Sequence, residues 1–262
     1  MEYRTLEIDV AQGVANVWLN RPDVRNAMNE DVIGELAAAV RALSAEAQVG
    51  VIVLAGRGSA FCAGADLAWM RRMAEAGHAE NRAGALKLAR MLDAVRTCPK
   101  PTIARVHGPA FAGGMGLASA CDLRVAEPAA EFCLSEVRIG LVPATISPHV
   151  VQAMGAAAAR RYMLTAERLP ASEAHRIGFV HALSAPGAID EIVDQLAEAL
   201  LAAGPAALAR TKRLLDDVVD RPIDDALLAM TAETIAEVRA SAEGREGVAS
   251  FLEKRKPTWV PS

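Results

Sequence analysis

Thr102-Ile-Ala-Arg-Val-His-Gly-Pro-Ala-Phe-Ala-Gly-Gly-Met-Gly-Leu-Ala-Ser-Ala-Cys-Asp-Leu-Arg-Val125 decides the fold class. Residues 102–106 are a short apolar run behind Pro101, the pattern of a strand buried on both faces. Residues 107–116 carry four glycines and a proline, the composition of a tight turn. Leu117-Ala-Ser-Ala-Cys121 is helical in composition, and residues 122–125 return to strand. Strand, glycine turn, helix and strand in succession put this part of the chain in the α/β class.

Upstream, residues 5–10 and 13–19 alternate apolar and polar positions around Ala11-Gln12, which predicts a β-hairpin. Asn20 to Asn26 is a loop, and Asn29 is placed to cap a helix carrying Val32, Ile33, Leu36, Val40 and Leu43 at helical spacing. Residues 50–54 read as a second buried strand. Residues 67–95 read as helix with a weak point at Gly77. Downstream, residues 131–134 are strand-like, and from Ser147 onward the pattern is almost wholly helical. Breaks fall at Gly204-Pro205, Arg221-Pro222 and Glu243-Gly244.

The chain has 262 residues, with 52% apolar and 23% charged positions. That is an ordinary globular composition, so disorder and a stapled mini-protein are excluded. The net charge of −4 argues against a nucleic-acid partner, which calls for a basic excess. Cys62, Cys98, Cys121 and Cys133 form no CxxC pair and match no zinc pattern; they read as buried thiols, and no metal is expected. The first ten residues alternate and carry no apolar leader, and no run of about 18 apolar residues predicts a membrane span. The expected location is the cytoplasm.

Three tracts carry chemistry. Ser59-Ala-Phe-Cys-Ala-Gly-Ala-Asp-Leu67 joins a strand to a helix starting near Asp66, and its small side chains let a ligand approach the backbone. The turn at 107–116 does the same, and its free N–H groups suit an anionic oxygen or a phosphate; the dinucleotide fingerprint and the P-loop are both absent. Either turn alone is also compatible with simple packing. Two together suggest paired N–H donors on one oxygen. Glu136, in Phe132-Cys-Leu-Ser-Glu-Val-Arg-Ile-Gly140, sits among Leu134, Val137 and Ile139. It reads as an acid/base with a raised pKa or as an ion-pair partner of Arg138.

The tracts LNRPDVRNAMN (19–29), AFCAGADL (60–67), HGPAFAGGMGLASACDLRVA (107–126), FCLSEVRIGLVP (132–143) and FLEKRKPTW (251–259) stand in an order and spacing that resembles the crotonase superfamily, the enoyl-CoA hydratases and isomerases. The resemblance implies an α/β spiral of ββα units over residues 1–203. It implies a C-terminal helical trimerisation domain over 204–262, and a homotrimer or dimer of trimers. It places the oxyanion donors at the N–H groups of Ala65 and Gly113, and the acid/base at Glu136. It lays the CoA moiety along Arg25, Ala63, Asp66 and Leu67, with Lys254 and Arg255 as basic contacts, and it implies no cofactor beyond the CoA of the acyl-CoA substrate.

Typical hydratases of that family carry a second glutamate where this chain has Gly116. Two readings follow: a hydratase of 2-enoyl-CoA, nearest to those acting on branched glutaconyl-type esters, or an isomerase moving a double bond with Glu136 alone. A non-catalytic acyl-CoA binder is the third. For a hydratase, a polar group is expected to reach the space at Gly116 and hold a water. His149 reads as a helix-surface histidine.

Overall fold

The computed structural model of the chain describes residues 3–260; positions 1–2, at the head of the N-terminal stretch, and 261–262, at the end of the C-terminal segment, lie outside the described residues. β1 (Leu6–Ala11) and β2 (Val14–Leu19) pair antiparallel with Leu6 opposite Leu19 and Ala11 opposite Val14. The hairpin turn is Gln12-Gly13, one residue beyond the expected Ala11-Gln12, because both residues take positive φ (51° and 84°). A 3₁₀ turn at Pro22–Val24 leads to α1 (Glu30–Ala45), whose Val32 N–H donates to Asn29 Oδ1 at 3.1 Å. β3 (Val51–Gly56) follows, then α2 (Leu67–Glu75) and α3 (His78–Arg96), separated at Ala76-Gly77.

β4 (Thr102–Val106) and β5 (Ala110–Phe111) lead into α4 (Gly113–Ala120), which starts four residues before the expected Leu117. β6 (Leu123–Ala126), β7 (Glu131–Cys133) and a 3₁₀ turn at Glu136–Ile139 complete the expected α/β tract. α5 (Ser147–Thr165) bends at Gly155, where φ is 76°. The nearly all-helical reading after Ser147 missed β8 (Leu169–Pro170) and β9 (Ala182–Leu183), which flank α6 (Ala171–Arg176). Strands of two residues carry no detectable period, so only their partners reveal them.

α7 (Ile189–Leu201), α8 (Pro205–Val218), α9 (Asp225–Ala240) and α10 (Ala242–Leu252) close the chain. The expected break at Glu243-Gly244 lies instead at Ser241, which ends α9 and caps α10 by accepting from Gly244 N–H at 3.0 Å. Glu243 is inside α10 and accepts from the N–H groups of Ala206 and Ala207 at 2.9 and 2.8 Å, capping α8 from a distance. Among the described residues no single helix is long and apolar enough to cross a membrane.

The fold is α/β. The main sheet runs β1-β2-β3-β4-β6-β9, parallel except for the hairpin, and a smaller sheet runs β5-β7-β8. Alternation along β3 sends Ile52 and Leu54 into the principal core with Leu36 and Leu92. It sends Val51 and Val53 to the other face, against Ile189, Val193 and Ala197 of α7. All four cysteines are buried free thiols.

Candidate active site

The segment after β3 runs between two neighbours. Met28 N–H donates to Gly64 O at 2.7 Å and Asp66 N–H donates to Met28 O at 2.9 Å on one side. On the other, Cys62 N–H donates to Pro109 O at 3.1 Å and Phe111 N–H donates to Cys62 O at 2.9 Å. The Gly64–Ala65 peptide turns its carbonyl to Met28. A trans peptide therefore points the Ala65 N–H the opposite way, to the side on which residues 110–113 lie. Gly113 opens α4, where a helical N–H has no partner of its own. Neither N–H has an acceptor among the described residues.

Close packing holds these two turns together. A Cβ on Gly114 would lie 2.8 Å from Cys62 Cβ and closer still to Cys62 O. Gly64, at φ +99°, would place one 3.1 Å from Phe111 O. Ala112, with φ 46° and ψ −117°, turns the chain from β5 into α4 in a conformation that costs a non-glycine residue about 1–3 kcal/mol.

Ala63, Ala65, Gly113 and Glu136 line one cavity of 650 Å³. Glu136 begins the 3₁₀ turn and is half-buried. Its Oε2 is sealed from solvent and accepts no hydrogen bond. Burial pushes its carboxyl above the ordinary range, and no ion pair with Arg138 is formed. Asp66 has the opposite environment. Burial pushes it up, but hydrogen bonds from Trp69 N–H, Arg21 and Ala68 N–H outweigh that and hold it below the ordinary range. Asp66 is thus the cap of α2, tied to Arg21 at 2.9 Å.

The remaining expected residues are placed as follows. Leu67 lines the cavity and is 71% exposed. Arg25, exposed at φ 51°, pins the same segment through its carbonyl, which accepts from Ala63 N–H at 2.9 Å. Lys254 is exposed beyond α10 and does not line the cavity, and Arg255 is paired with Glu246 and Glu253 at 2.6 and 2.7 Å. His149 is buried within α5 rather than on its surface, and it stands outside the cavity lining.

Gly116 overturns the expectation of a polar group in its space. It is buried in α4, and a Cβ there would lie 2.7 Å from Ile146 Cβ and closer to Ile146 Cγ2. Ile146 is 3% exposed and lines the cavity, so apolar atoms fill the place. The sequence reading also missed the cavity's apolar wall: Trp69, Met70 and Met73 of α2, Leu88 of α3, and Leu141 and Val142 after the 3₁₀ turn. Among the described residues no Lys or Arg lines the cavity. The signal was the half-exposed apolar face of α2, which contains no fully buried residue. A carboxyl with one unpartnered oxygen, in an apolar cavity also lined by two residues with free N–H groups, can move a proton next to a carbonyl whose oxygen takes up charge.

A family model described as Enoyl-CoA hydratase/isomerase matches residues 9–261. The chain is similar to an enoyl-CoA hydratase of known crystal structure from Shewanella pealeana, with 41% identity, a TM-score of 0.96, and coverage of 98% of this chain and 97% of that one. A crotonyl-CoA hydratase of Syntrophomonas wolfei is 31% identical over 262 residues, 99% of each chain. Enoyl-CoA hydratase ACTT6 of Alternaria alternata is 36% identical over 241 residues, 91% of this chain and 78% of its own.

Proposed function

Because the chain belongs to the enoyl-CoA hydratase/isomerase family, we propose that it adds water across the double bond of a 2-enoyl-CoA thioester. The observation that carries this reading is Glu136, whose Oε2 has no partner in a cavity also lined by Ala65 and Gly113. The N–H groups of Ala65 and Gly113 form the oxyanion hole. They hold the thioester oxygen, and each is worth about 3–4 kcal/mol of barrier by comparison with such donors elsewhere. The Glu136 carboxylate takes a proton from water as the water oxygen bonds to Cβ. The π electrons pass through Cα to the thioester oxygen, and the same carboxyl then returns the proton to Cα. Burial makes this carboxylate a stronger base than an ordinary glutamate.

The CoA moiety lies along Arg25, Ala63, Asp66 and Leu67. Lys254 reaches a phosphate in the assembled oligomer, since it stands away from the cavity of its own chain. The proposed chemistry draws on no cofactor; CoA enters as part of the substrate. The lining supplied by this chain holds no Lys or Arg among the described residues, which favours an uncharged acyl chain over the glutaconyl-type carboxylate expected from the resemblance. The proposed assembly is a trimer or dimer of trimers built by residues 204–262. Leu215, Ile223, Phe251 and Leu252 of that segment are 61, 84, 81 and 72% exposed and need cover. A monomer in sedimentation at micromolar concentration would refute this assembly.

A second reading is favoured by Ile146 over Gly116. With no second carboxylate and an apolar filling in its place, Glu136 moves a proton from C2 to C4 of a 3-enoyl-CoA instead. One experiment separates the readings: loss of the conjugated enoyl thioester on adding crotonyl-CoA, against its gain on adding a 3-enoyl-CoA. Hydration faster than isomerisation supports the first reading, and the reverse supports the second. Binding without either turnover identifies a non-catalytic acyl-CoA protein.

A further inference from the structure

The two N–H groups read as oxyanion donors are wired differently to the rest of the chain. Gly113 N–H belongs to the Ala112–Gly113 peptide, whose carbonyl accepts from Gly116 N–H at 3.0 Å, an ordinary bond of the first turn of α4. Ala65 N–H belongs to the Gly64–Ala65 peptide, whose carbonyl accepts from Met28 N–H at 2.7 Å. Met28 N–H belongs in turn to the Ala27–Met28 peptide, and the Ala27 carbonyl accepts from Arg21 Nη1 at 2.5 Å. An unbroken line of donors and acceptors therefore runs from a guanidinium, through two peptide groups, to the free N–H of Ala65.

The line is sheltered and its charged end is fixed. Ala27, Met28 and Gly64 are buried, and Arg21 is half-buried. Arg21 N–H donates to Asn26 Oδ1 at 2.9 Å, and Arg21 O accepts from Asn26 N–H at 2.9 Å. Its second fork nitrogen, Nη2, pairs with Asp66 Oδ2 at 2.9 Å. Asp66 follows Ala65 in the chain, and Ala65 forms a parallel bridge with Met28, so the fork grips both sides of that bridge. A carbonyl that accepts from a cation is polarised, and the N–H of the same peptide becomes a stronger donor. Bonds in such a chain strengthen one another by about 10–30% each, and a low-dielectric interior does not screen the effect away.

We propose that Arg21 is a positioning residue for the reaction: acting through the Ala27 and Gly64 carbonyls, it orients and polarises the Ala65 N–H and makes it a stronger donor to the thioester oxygen. This inference rests on reading Ala65 and Gly113 as the oxyanion hole. Asp66 holds the guanidinium in place and offsets part of its field, so the effect is a fraction of one donor. A donor worth about a hundredfold to a thousandfold in rate, weakened by about 10–30%, loses about two- to eightfold.

The test uses butanoyl-CoA labelled with ¹³C at the thioester carbon, which has no double bond to react. Hydrogen bonds to its carbonyl oxygen lower the stretching frequency, so difference infrared spectra of the bound ester read the donors directly. Wild type, Arg21→Gln and Arg21→Lys are compared, with binding sites counted by titration and melting temperatures measured. Wild type should lower the band relative to free ester. Arg21→Gln, which is neutral, should return the band part of the way. It should also cost about two- to eightfold in kcat per binding site, in whichever reaction the enzyme performs, with KM held within about threefold. Arg21→Lys keeps the charge but has one nitrogen for two acceptors, so it should fall between the two. A purely structural role would move the melting temperature and the number of binding sites, and leave the band of the bound ester where it was.

A wild-type band in folded Arg21→Gln would overturn the inference. Where Arg21→Gln does not fold, Arg21→Lys decides: a band displaced toward that of free ester supports the inference, and a wild-type band overturns it. A wild type that does not lower the band at all defeats the oxyanion-hole reading itself. A lowering that is independent of Arg21 defeats this inference only.

Discussion

On one side of the cavity the backbone itself is the working surface. Gly64, Gly114 and Gly116 each leave no easy room for a Cβ, and main-chain bonds of 2.7–3.1 Å tie residues 62–66 to both neighbours. On the other side α2 and residues 139–146 present side chains to the cavity, with Leu67, Ile139, Leu141 and Val142 between 53 and 71% exposed. The first side places two N–H groups by hydrogen bonds and close packing, so small errors there are not absorbed. The second is an apolar wall of side chains that can repack around different acyl chains. On the proposed function, reaction and specificity are built from different materials, and substitutions should separate them.

The largest effect is expected from Glu136→Gln, which keeps the shape but can neither take up nor return a proton. Turnover should fall at least about hundredfold while CoA-ester binding persists. A rate within threefold of wild type would put the base elsewhere. The pH dependence should come next. Burial raises the Glu136 pKa, and in the proposed reaction the carboxylate is the active form, so kcat/KM should fall about tenfold per pH unit below that raised value. Stability runs the other way. With the folded pKa above the unfolded one, Glu136 favours the fold below its unfolded pKa, and that contribution is lost as pH rises through the folded pKa. Wild type should therefore lose thermal stability relative to Glu136→Gln over that window.

Gly114→Ala should break the rigid side. Its Cβ meets the Cys62 backbone, so about 1–3 kcal/mol of stability should be lost, read by denaturant unfolding, together with most activity. Gly116→Glu should misfold locally against Ile146, whereas Gly116→Glu with Ile146→Gly opens space for a carboxylate. A rise in crotonyl-CoA hydration in the double variant alone would show that Ile146 keeps the site single-carboxylate. The smallest effect is expected from Val142→Ala on the soft wall. At 70% exposure it should leave stability within about 0.5 kcal/mol and change kcat/KM for short esters by less than threefold.

Much of the architecture was legible in local pattern. Asn29 capped α1 as its spacing required, and Gly77 marked the break between α2 and α3. β8 and β9 were not legible, because each exists only through its pairing with β7 or β6. His149 looked like a surface group because its neighbours in sequence do not include α4, which packs against α5.

The amino-acid sequence alone determined the α/β class, the two glycine-containing strand-to-helix turns, and Glu136 as the carboxyl to watch, since each rests on periodicity, turn chemistry or a motif within a few residues. Only the tertiary structure decided three other things. It brought the Cys62 and Ala110 segments side by side through bonds spanning more than forty residues of chain. It placed Ile146 over Gly116, turning an absent side chain into a filled space. And it left Glu136 Oε2 and Trp69 Nε1 without partners. Such facts concern what surrounds an atom, and the surroundings come from elements distant in sequence.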